Sequence, residues 1–191
     1  MAGTNRRLLP ESLQNRFLRL LDPLVSALAK RGIHPNSLTL AGFVMTCMAA
    51  VALSKGSLRT GGLLILLGGL CDCIDGNLAR STGKATRFGA LLDSVIDRYS
   101  EFVMFLGIAA YFIILKNYFI LAGTFIALCG SIMVSYTRAR AESLGFESKA
   151  GITQRAERIV FLGFGALIHP MVFKLSIWLV AILANVTALQ R

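Results

Sequence analysis

Long apolar runs alternate with short polar stretches along this chain of 191 residues. Six runs approach the length that a helix needs to cross a bilayer, about 20 mainly apolar residues. We place them at 37–54, 61–79, 89–115, 118–137, 158–173 and 175–189. Backbone polar groups that face lipid must be satisfied within their own segment, so each run is predicted to be a helix. The fifth run is the least regular, because it is short and contains His169 and Pro170.

Residues 11–31 follow a different pattern, in which Leu, Phe and Val recur at helical intervals among basic residues. This pattern is typical of a helix that lies on the membrane surface, here bent at Pro23. A solvent-exposed amphipathic helix would show the same periodicity. We therefore predict an all-α integral membrane protein. Its cytoplasmic segment over residues 1–34 contains the amphipathic juxtamembrane helix, and a domain of six transmembrane helices follows over residues 35–191.

Composition supports this class and disfavours a soluble helical bundle. The chain is 55% hydrophobic and 16% charged, with a net charge of +10 and a mean hydropathy of +0.66. With a cytoplasmic N-terminus, fifteen of the 20 Lys and Arg residues fall on the inner side. Four fall in outer loops, and Arg98 lies within a span. This positive-inside bias predicts a protein of the cell membrane whose basic rim faces the cytoplasm. A nucleic-acid partner is disfavoured, since no soluble domain is present to bind one.

Four of the five aspartates lie close together in the sequence, where the second and third runs meet. They are Asp72, Asp75, Asp93 and Asp97. Each pair lies on one face of its helix, and a hairpin would bring both pairs to the same depth. Carboxylates at membrane depth are costly and repel one another unless cations hold them. Ligand sets made only of oxygen favour Mg²⁺, Mn²⁺ or Ca²⁺. The alternative, pairing with Arg80, Arg87 and Arg98, leaves four acids against three bases.

The spacing of these acids carries a resemblance to a known family. Asp72-x-x-Asp75-Gly76-x-x-Ala79-Arg80, eight residues, then Gly89-x-x-x-Asp93-x-x-x-Asp97 resembles the signature of the CDP-alcohol phosphotransferases at every fixed position. The resemblance covers most of the chain, because that family also has six transmembrane helices and usually a juxtamembrane helix. It implies transfer of a phosphatidyl group from CDP-diacylglycerol to an acceptor alcohol with release of CMP. It also implies a role in phospholipid biosynthesis and a homodimer.

The same resemblance implies roles for individual residues. Asp72, Asp75 and Asp93 would be the main ligands of Mg²⁺, with Mn²⁺ possible. Asp97 would be the catalytic base and could also contact the metal. The residues implied in binding the CDP group are Asn36, Ser37, Leu38, Thr39, Gly76, Arg80 and Thr86. An arginine offers phosphate a forked donor, and glycine lets backbone approach a ligand or a neighbouring helix. A polar residue at a helix start can also be only a cap.

Residues 135–158 resemble the corresponding stretch of bacterial phosphatidylinositol-phosphate synthases. This implies a phosphorylated acceptor, most simply inositol 1-phosphate, bound by Arg138, Arg140, Arg155 and Arg158. These arginines could instead be ordinary positive-inside charges, or pair with Glu142 and Glu157. Glycerol 3-phosphate, serine and other polar alcohols stay open as acceptors. A divalent-cation transporter is the alternative from another class, although the chain lacks convincing internal repeats and broken helices.

Overall fold

The computed structural model of the chain describes residues 11–146 and 151–191. Within these ranges it is all-helical and contains no strand, which confirms the all-α part of the prediction. The helices are α1 (Glu11–Lys30), α2 (Pro35–Ser54), α3 (Leu58–Ser81), α4 (Arg87–Ile114), α5 (Tyr118–Ser143), α6 (Arg155–Ile168) and α7 (Pro170–Gln190). Three basic residues of the charge argument, Arg6, Arg7 and Lys149, lie outside the described residues, as does the rest of the first ten residues.

Four of the described helices are long and apolar enough to cross a membrane: α2, α3, α5 and α7. The other two predicted spans correspond to α4 and α6. Helix α4 has 28 residues but carries several charged groups in its first half. Helix α6 has only 14 residues. Length and composition therefore identify four of the six predicted spans.

Helix α1 runs without interruption through Pro23, where the sequence suggested a bend. Its Val25 is buried against Ile74 and Leu78 near the end of α3. Leu20 and Leu24 of the same helix remain exposed. The helix thus packs against the bundle and also presents apolar side chains outward, and its location at the membrane surface stays a prediction.

Two His-Pro pairs begin helices in the same way. His34 Nδ1 accepts a hydrogen bond from the Asn36 amide (3.2 Å), and His169 Nδ1 accepts one from the Met171 amide (3.2 Å). Proline follows as the first helical residue, where its missing N–H costs nothing. The second pair corrects the predicted boundary between 158–173 and 175–189, because α6 ends at Ile168 and α7 begins at Pro170. Helical backbone angles are disfavoured for a residue that precedes a proline, so the helix breaks at His169.

Small residues let the helices approach one another closely. A Cβ on Gly62 of α3 would lie 2.6 Å from the carbonyl oxygen of Gly163 in α6. A Cβ on Gly107 of α4 would lie 2.5 Å from Cα of Ala50 in α2. Such contacts are a main source of packing energy between helices in lipid. They join α3 to α6 and α2 to α4, and so place the ends of α2, α3, α4 and α6 around one centre.

Candidate active site

The acids meet where α3 ends and α4 begins. Asp72 and Asp75 lie near the C-terminal end of α3, and Asp93 lies near the N-terminal end of α4. One carboxylate oxygen from each of these three lies within 4.8 Å of the other two. The sequence predicted a hairpin of α3 and α4; the structure brings their acids together, but α2 packs against both helices and the two hardly touch each other. This acid centre, Asp72, Asp75 and Asp93, is the core of the site.

Helix α2 supports the acid centre from the side. The hydroxyl of Thr39 donates a 2.6 Å hydrogen bond to Asp75 Oδ2, and both residues are buried. Hydrogen bonds to a carboxylate are charge-assisted and orient it firmly. Thr39, predicted from sequence to border the CDP group, is therefore also a residue that fixes one of the acids.

The acid centre suits a divalent cation. Asp93 Oδ1 is buried and has no hydrogen-bond partner among the described residues, which is costly for a carboxylate oxygen. Two further carboxylates converge on the same point. Hard cations such as Mg²⁺ and Mn²⁺ bind oxygen ligands of this kind. The residues present fit the metal that the spacing predicted.

Asp97 stands beside this group and contacts arginine. Arg155 Nη1, from the first residue of α6, lies 2.7 Å from Asp97 Oδ1 and 2.7 Å from Asp72 Oδ2. Both contacts are ion pairs between a largely buried guanidinium group and a carboxylate. Arg98 Nη1 lies 3.3 Å from Asp97 Oδ2. Arg155, predicted to bind the acceptor, thus reaches the acid centre itself.

Several residues predicted to bind the donor converge at the starts of α2 and α4. Thr86 caps α4 by accepting a 2.9 Å hydrogen bond from the Gly89 amide. A Cβ on Gly89 would lie 3.1 Å from Thr86 Oγ1 and 3.3 Å from Asn36 Oδ1. Asn36, Ser37 and Thr39 line a surface cavity between α2 and α4. Position 89 therefore favours glycine, because two polar side chains crowd the space that a Cβ would occupy.

The other residues predicted to bind the CDP donor differ in their surroundings. The atoms nearest to a Cβ on Gly76 would belong to the Arg80 guanidinium, at 3.6 to 3.9 Å, which is ordinary van der Waals contact. Arg80 Nη2 donates a 2.8 Å hydrogen bond to Asn77 Oδ1. Leu38 packs against the apolar cluster of α1 and α3. The roles of Gly76 and Arg80 in donor binding stay predictions, whereas Leu38 has a packing contact.

The structure separates the four arginines predicted to bind the acceptor. Arg138 and Arg140 are exposed at the end of α5, where Arg138 Nε lies 2.8 Å from Glu142 Oε1. The alternative of pairing with Glu142 therefore holds for Arg138. Glu157 instead accepts a 2.8 Å hydrogen bond from the Gln154 amide and caps α6. Arg158 is only 1% exposed, unlike the others.

Sequence reasoning missed two charged residues near the site. Glu101 lies one turn beyond Asp97 on α4 and pairs with Arg158, with Oε1 3.1 Å from Nε and 2.5 Å from Nη2. Its spacing from Asp97, equal to that between Asp93 and Asp97, was the available signal.

The second residue is Arg191. Burial and the nearby guanidinium groups of Arg138 and Arg158 lower the pKa of Arg191. Arg191 therefore joins a basic cluster that its position alone did not reveal.

Comparison with known proteins gives this geometry its context. The profile of the CDP-alcohol phosphatidyltransferase family matches residues 32–188. The chain is 38% identical over 189 residues to archaetidylinositol phosphate synthase of Methanothermobacter thermautotrophicus, covering 95% of this chain and 93% of the relative. It is 33% identical over 184 residues to phosphatidylinositol phosphate synthase of Mycolicibacterium smegmatis, covering 92% and 83%.

Comparison with solved structures leads to the same family. The crystal structure of Mycobacterium tuberculosis phosphatidylinositol phosphate synthase with CDP-DAG bound has a TM-score of 0.80 and 30% identity, covering 91% of this chain and 92% of that one. The same enzyme with manganese and citrate has a TM-score of 0.79 at 30% identity, covering 88% and 85%. The chain therefore belongs to the CDP-alcohol phosphatidyltransferase family. It is a phosphatidyltransferase of phospholipid biosynthesis, which confirms the predicted enzyme class and sets the transporter alternative aside.

Proposed function

We propose that this enzyme transfers the phosphatidyl group of CDP-diacylglycerol to inositol 1-phosphate, forming phosphatidylinositol phosphate and CMP. The observation that carries the proposal is that one of the arginines predicted to bind the acceptor, Arg155, lies at the acid centre. Arg155 contacts Asp72 and Asp97 at the acid centre. Arg138 and Arg158 lie near enough to Arg191 to lower its pKa. An acceptor that is itself a phosphate ester suits an arginine beside the acids together with the basic residues around Arg191.

The names of the relatives support the same head group. Relatives from archaea are named archaetidylinositol phosphate synthases, and several from bacteria are named phosphatidylinositol phosphate synthases. These names differ in the lipid and share the inositol phosphate. We therefore propose inositol 1-phosphate as the acceptor. We propose CDP-diacylglycerol as the donor, by analogy with the ligand of the tuberculosis enzyme.

Asp72, Asp75 and Asp93 would hold Mg²⁺ or Mn²⁺, with Asp97 at the edge of the group. When bound, such an ion neutralises charge on a diphosphate and improves the leaving group. The related tuberculosis enzyme was solved with manganese. The residues around the acid centre would hold the CDP moiety: Asn36, Ser37, Thr39, Gly76, Arg80 and Thr86.

Asp97 is the proposed base. It accepts the proton of the acceptor hydroxyl, whose oxygen forms a new bond to the phosphorus of the phosphatidyl group. The bond from that phosphorus to the bridging diphosphate oxygen breaks, and CMP leaves with that oxygen. The proton on Asp97 then passes to solvent. Arg155 and Arg98, both in contact with Asp97, stabilise its charged form.

We further propose six membrane spans, with α4 and α6 completing the four that length and composition identify. The site would then face the cytoplasm of the cell membrane, as the positive-inside bias indicates. On α4, apolar side chains remain exposed along one face from end to end: Leu91, Val95, Tyr99, Phe102, Leu106 and Ile113. That face suits lipid, while the acids face inward. The family resemblance favours a homodimer.

Purified enzyme with CDP-diacylglycerol and a panel of acceptors tests the acceptor. We expect Mg²⁺-dependent CMP release with inositol 1-phosphate, and much less with free inositol, glycerol 3-phosphate or serine. Arg138→Ala should raise the KM for inositol 1-phosphate about tenfold, since a charge-assisted bond contributes about 1.5–3 kcal/mol. Arg16→Ala, on exposed α1, is the control that should leave this KM unchanged. Serine as the best acceptor, unaffected by Arg138→Ala, would refute the phosphorylated acceptor.

A further inference from the structure

Two ion pairs, one above the other, connect α4 to α6. On α4, Asp97 and Glu101 lie one turn apart on the same face. On α6, Arg155 and Arg158 lie one turn apart and face them. The outer pair joins Arg155 to Asp97 at 2.7 Å, and the inner pair joins Arg158 to Glu101 at 3.1 and 2.5 Å. We refer to these as the outer pair and the inner pair.

The inner pair is the more deeply buried of the two. Arg158 and Glu101 each have side chains that are 2% exposed, against 19% for Arg155 and 16% for Asp97. A buried ion pair often gives no more stability than apolar side chains of similar volume. Charged groups at membrane depth are also expensive, and as a rule they have functions. Stability alone is therefore a weak explanation for the inner pair.

The position of the inner pair suits a role in orienting its neighbour. Helix α6 begins at Arg155 and packs against α3 and α7, so its first turn meets α4 through these side chains. Two nitrogens of Arg158 contact one oxygen of Glu101, which fixes the rotation of that first turn. Arg155, three residues earlier on the same face of α6, is then directed at Asp97. Asp97, Glu101 and Arg155 line one cavity together with Asp72 of the acid centre.

We propose that Glu101 and Arg158 are positioning residues that hold Arg155 against Asp97 and so keep Asp97 aligned as the base. The proposal rests on the proposed role of Asp97. It differs from the sequence prediction for Arg158, because Arg158 acts here through Glu101 and does not touch the acceptor. Glu101 gains a role that the sequence motif does not include.

Steady-state kinetics of Glu101→Gln, Arg158→Gln and the double variant test the proposal. We expect each single change to lower kcat about tenfold to a hundredfold, the cost of slight misplacement in an active site. The KM for CDP-diacylglycerol should stay close to that of the unaltered enzyme. The double variant should be no worse than the poorer single variant, because both changes remove one contact. It also replaces the ion pair with two amides, so no uncompensated charge is left to unfold the protein.

Glu142→Gln is the matched control. It removes the same kind of charge from an exposed ion pair with Arg138, and it should leave kcat unchanged. If Arg158 binds the acceptor phosphate directly, Glu101→Gln frees it, so that kcat holds and the acceptor KM stays or falls. That result would overturn the proposal. An equal loss of kcat, donor affinity and thermal stability in all three variants would also overturn it, because it would indicate a purely structural pair.

A measurement without turnover separates this proposal from the proposed function. In ¹⁵N spectra of detergent-solubilised enzyme, an immobilised Arg155 guanidinium should give resolved, slowly exchanging signals, assigned by their loss in Arg155→Lys. Glu101→Gln/Arg158→Gln should broaden or average these signals. Sharp, unchanged Arg155 signals in the double variant would refute the positioning role. If the unaltered enzyme releases no CMP with any acceptor, the proposed function fails, and the spectra still decide whether the inner pair orders Arg155.

Discussion

Asp93 shows how the surroundings of one side chain indicate its chemistry. Its Oδ1 is buried without a partner in the part of the chain that the structure describes, although a buried polar oxygen normally has at least one. Asp75, by contrast, accepts a hydrogen bond from Thr39. One acid is thus held by protein, and the other keeps an oxygen directed at the shared centre. The residue with the unsatisfied oxygen is the one whose loss should affect metal binding most directly.

Asp93→Asn should abolish CMP release and weaken Mn²⁺ binding while the protein stays folded in detergent. The amide has the same size, and Oδ1 has no protein hydrogen bond to lose. We expect a loss of about a hundredfold or more, since even residues that only support a metal ligand typically contribute ten- to hundredfold. Enzymatic CMP release and the paramagnetic resonance of free Mn²⁺ measure the two effects. Asp22→Asn, on exposed α1, is the matched control; normal activity of Asp93→Asn would remove Asp93 from the metal site.

Asp97→Asn should lose transfer and retain donor binding. Asp97 lies outside the group of three carboxylates and contacts Arg155 and Arg98. Removal of a general base typically lowers kcat about 10²–10⁴-fold. Calorimetry with CDP-diacylglycerol and Mg²⁺ should give an affinity close to that of the unaltered enzyme. If donor binding vanishes as completely as in Asp93→Asn, Asp97 is a metal ligand and not the base.

At the residue scale, the sequence predicted the acids better than the arginines. Spacing along two helices joined by a short loop was enough to bring Asp72, Asp75 and Asp93 together. The contact of Arg155 with Asp72 and Asp97 depends on how α6 docks against α3, which no local pattern specifies. Burial of Arg158 depends on the same docking. Long-range side-chain partners were therefore beyond prediction, whereas local pairs were within it.

At the scale of elements, the helices were predicted well because apolar runs and helix-start signals are local. Helix α2 begins at Pro35 and α7 at Pro170, each after a capping histidine. The first His-Pro pair marked a helix start in a polar stretch. The second lies inside an apolar run, so hydropathy extended the fifth span past it to residue 173. Chain-local stereochemistry at Pro170 outweighed the apolar pattern there.

The segment that leads into α6 is anchored to the end of α7 by two buried threonines. The Thr153 amide donates a 3.1 Å hydrogen bond to Thr187 Oγ1, and the two hydroxyls lie 2.9 Å apart. Thr153 Oγ1 also donates to the Leu183 carbonyl at 3.2 Å. Both side chains are fully buried. This anchor precedes Arg155 by two residues, so it helps to fix where α6 starts.

Thr187→Val should therefore lower both stability and activity. Valine keeps the shape but leaves the Thr153 amide buried without its acceptor, which costs about 1–3 kcal/mol. We expect a lower midpoint of thermal unfolding in detergent and a lower kcat, with Thr187→Ser restoring both. Thr124→Val is the control, because among the described residues the Thr124 hydroxyl bonds only to Ile120 O of its own helix. An unchanged Thr187→Val enzyme would mean that the anchor does not position α6.

At the scale of the whole molecule, α4 carries charged residues toward the site and apolar residues on its exposed surface. Its residues 93–101 include Asp93, Asp97, Arg98 and Glu101, which is why composition does not identify it as a span. Asp97 and Glu101 meet arginines of α6 inside the bundle, and Asp93 converges with the acids of α3. The opposite face stays apolar and exposed along the whole helix. A helix that is charged inward and apolar outward can cross a membrane when its neighbours satisfy the charged side.

Single cysteines introduced into a cysteine-free enzyme should reveal the six spans. Lys84 precedes α4 and Leu115 follows it, while Leu144 follows α5 and Met171 lies just beyond α6. All four positions are exposed. If α4 and α6 cross the membrane, a membrane-impermeant maleimide added to intact cells should label the cysteines at 115 and 171. Those at 84 and 144 should react only after permeabilisation.

Each pair of positions tests one helix by itself. Cysteines at 84 and 115 that react on the same side would show that α4 does not cross, and the pair at 144 and 171 does the same for α6. The cysteine-free parent is the control for background labelling, and its CMP release confirms that the protein remains active. Labelling of 84 and 144 from outside, with 115 and 171 protected, would keep six spans and reverse the orientation. The acid centre would then face away from the cytoplasm, against the positive-inside bias of the chain.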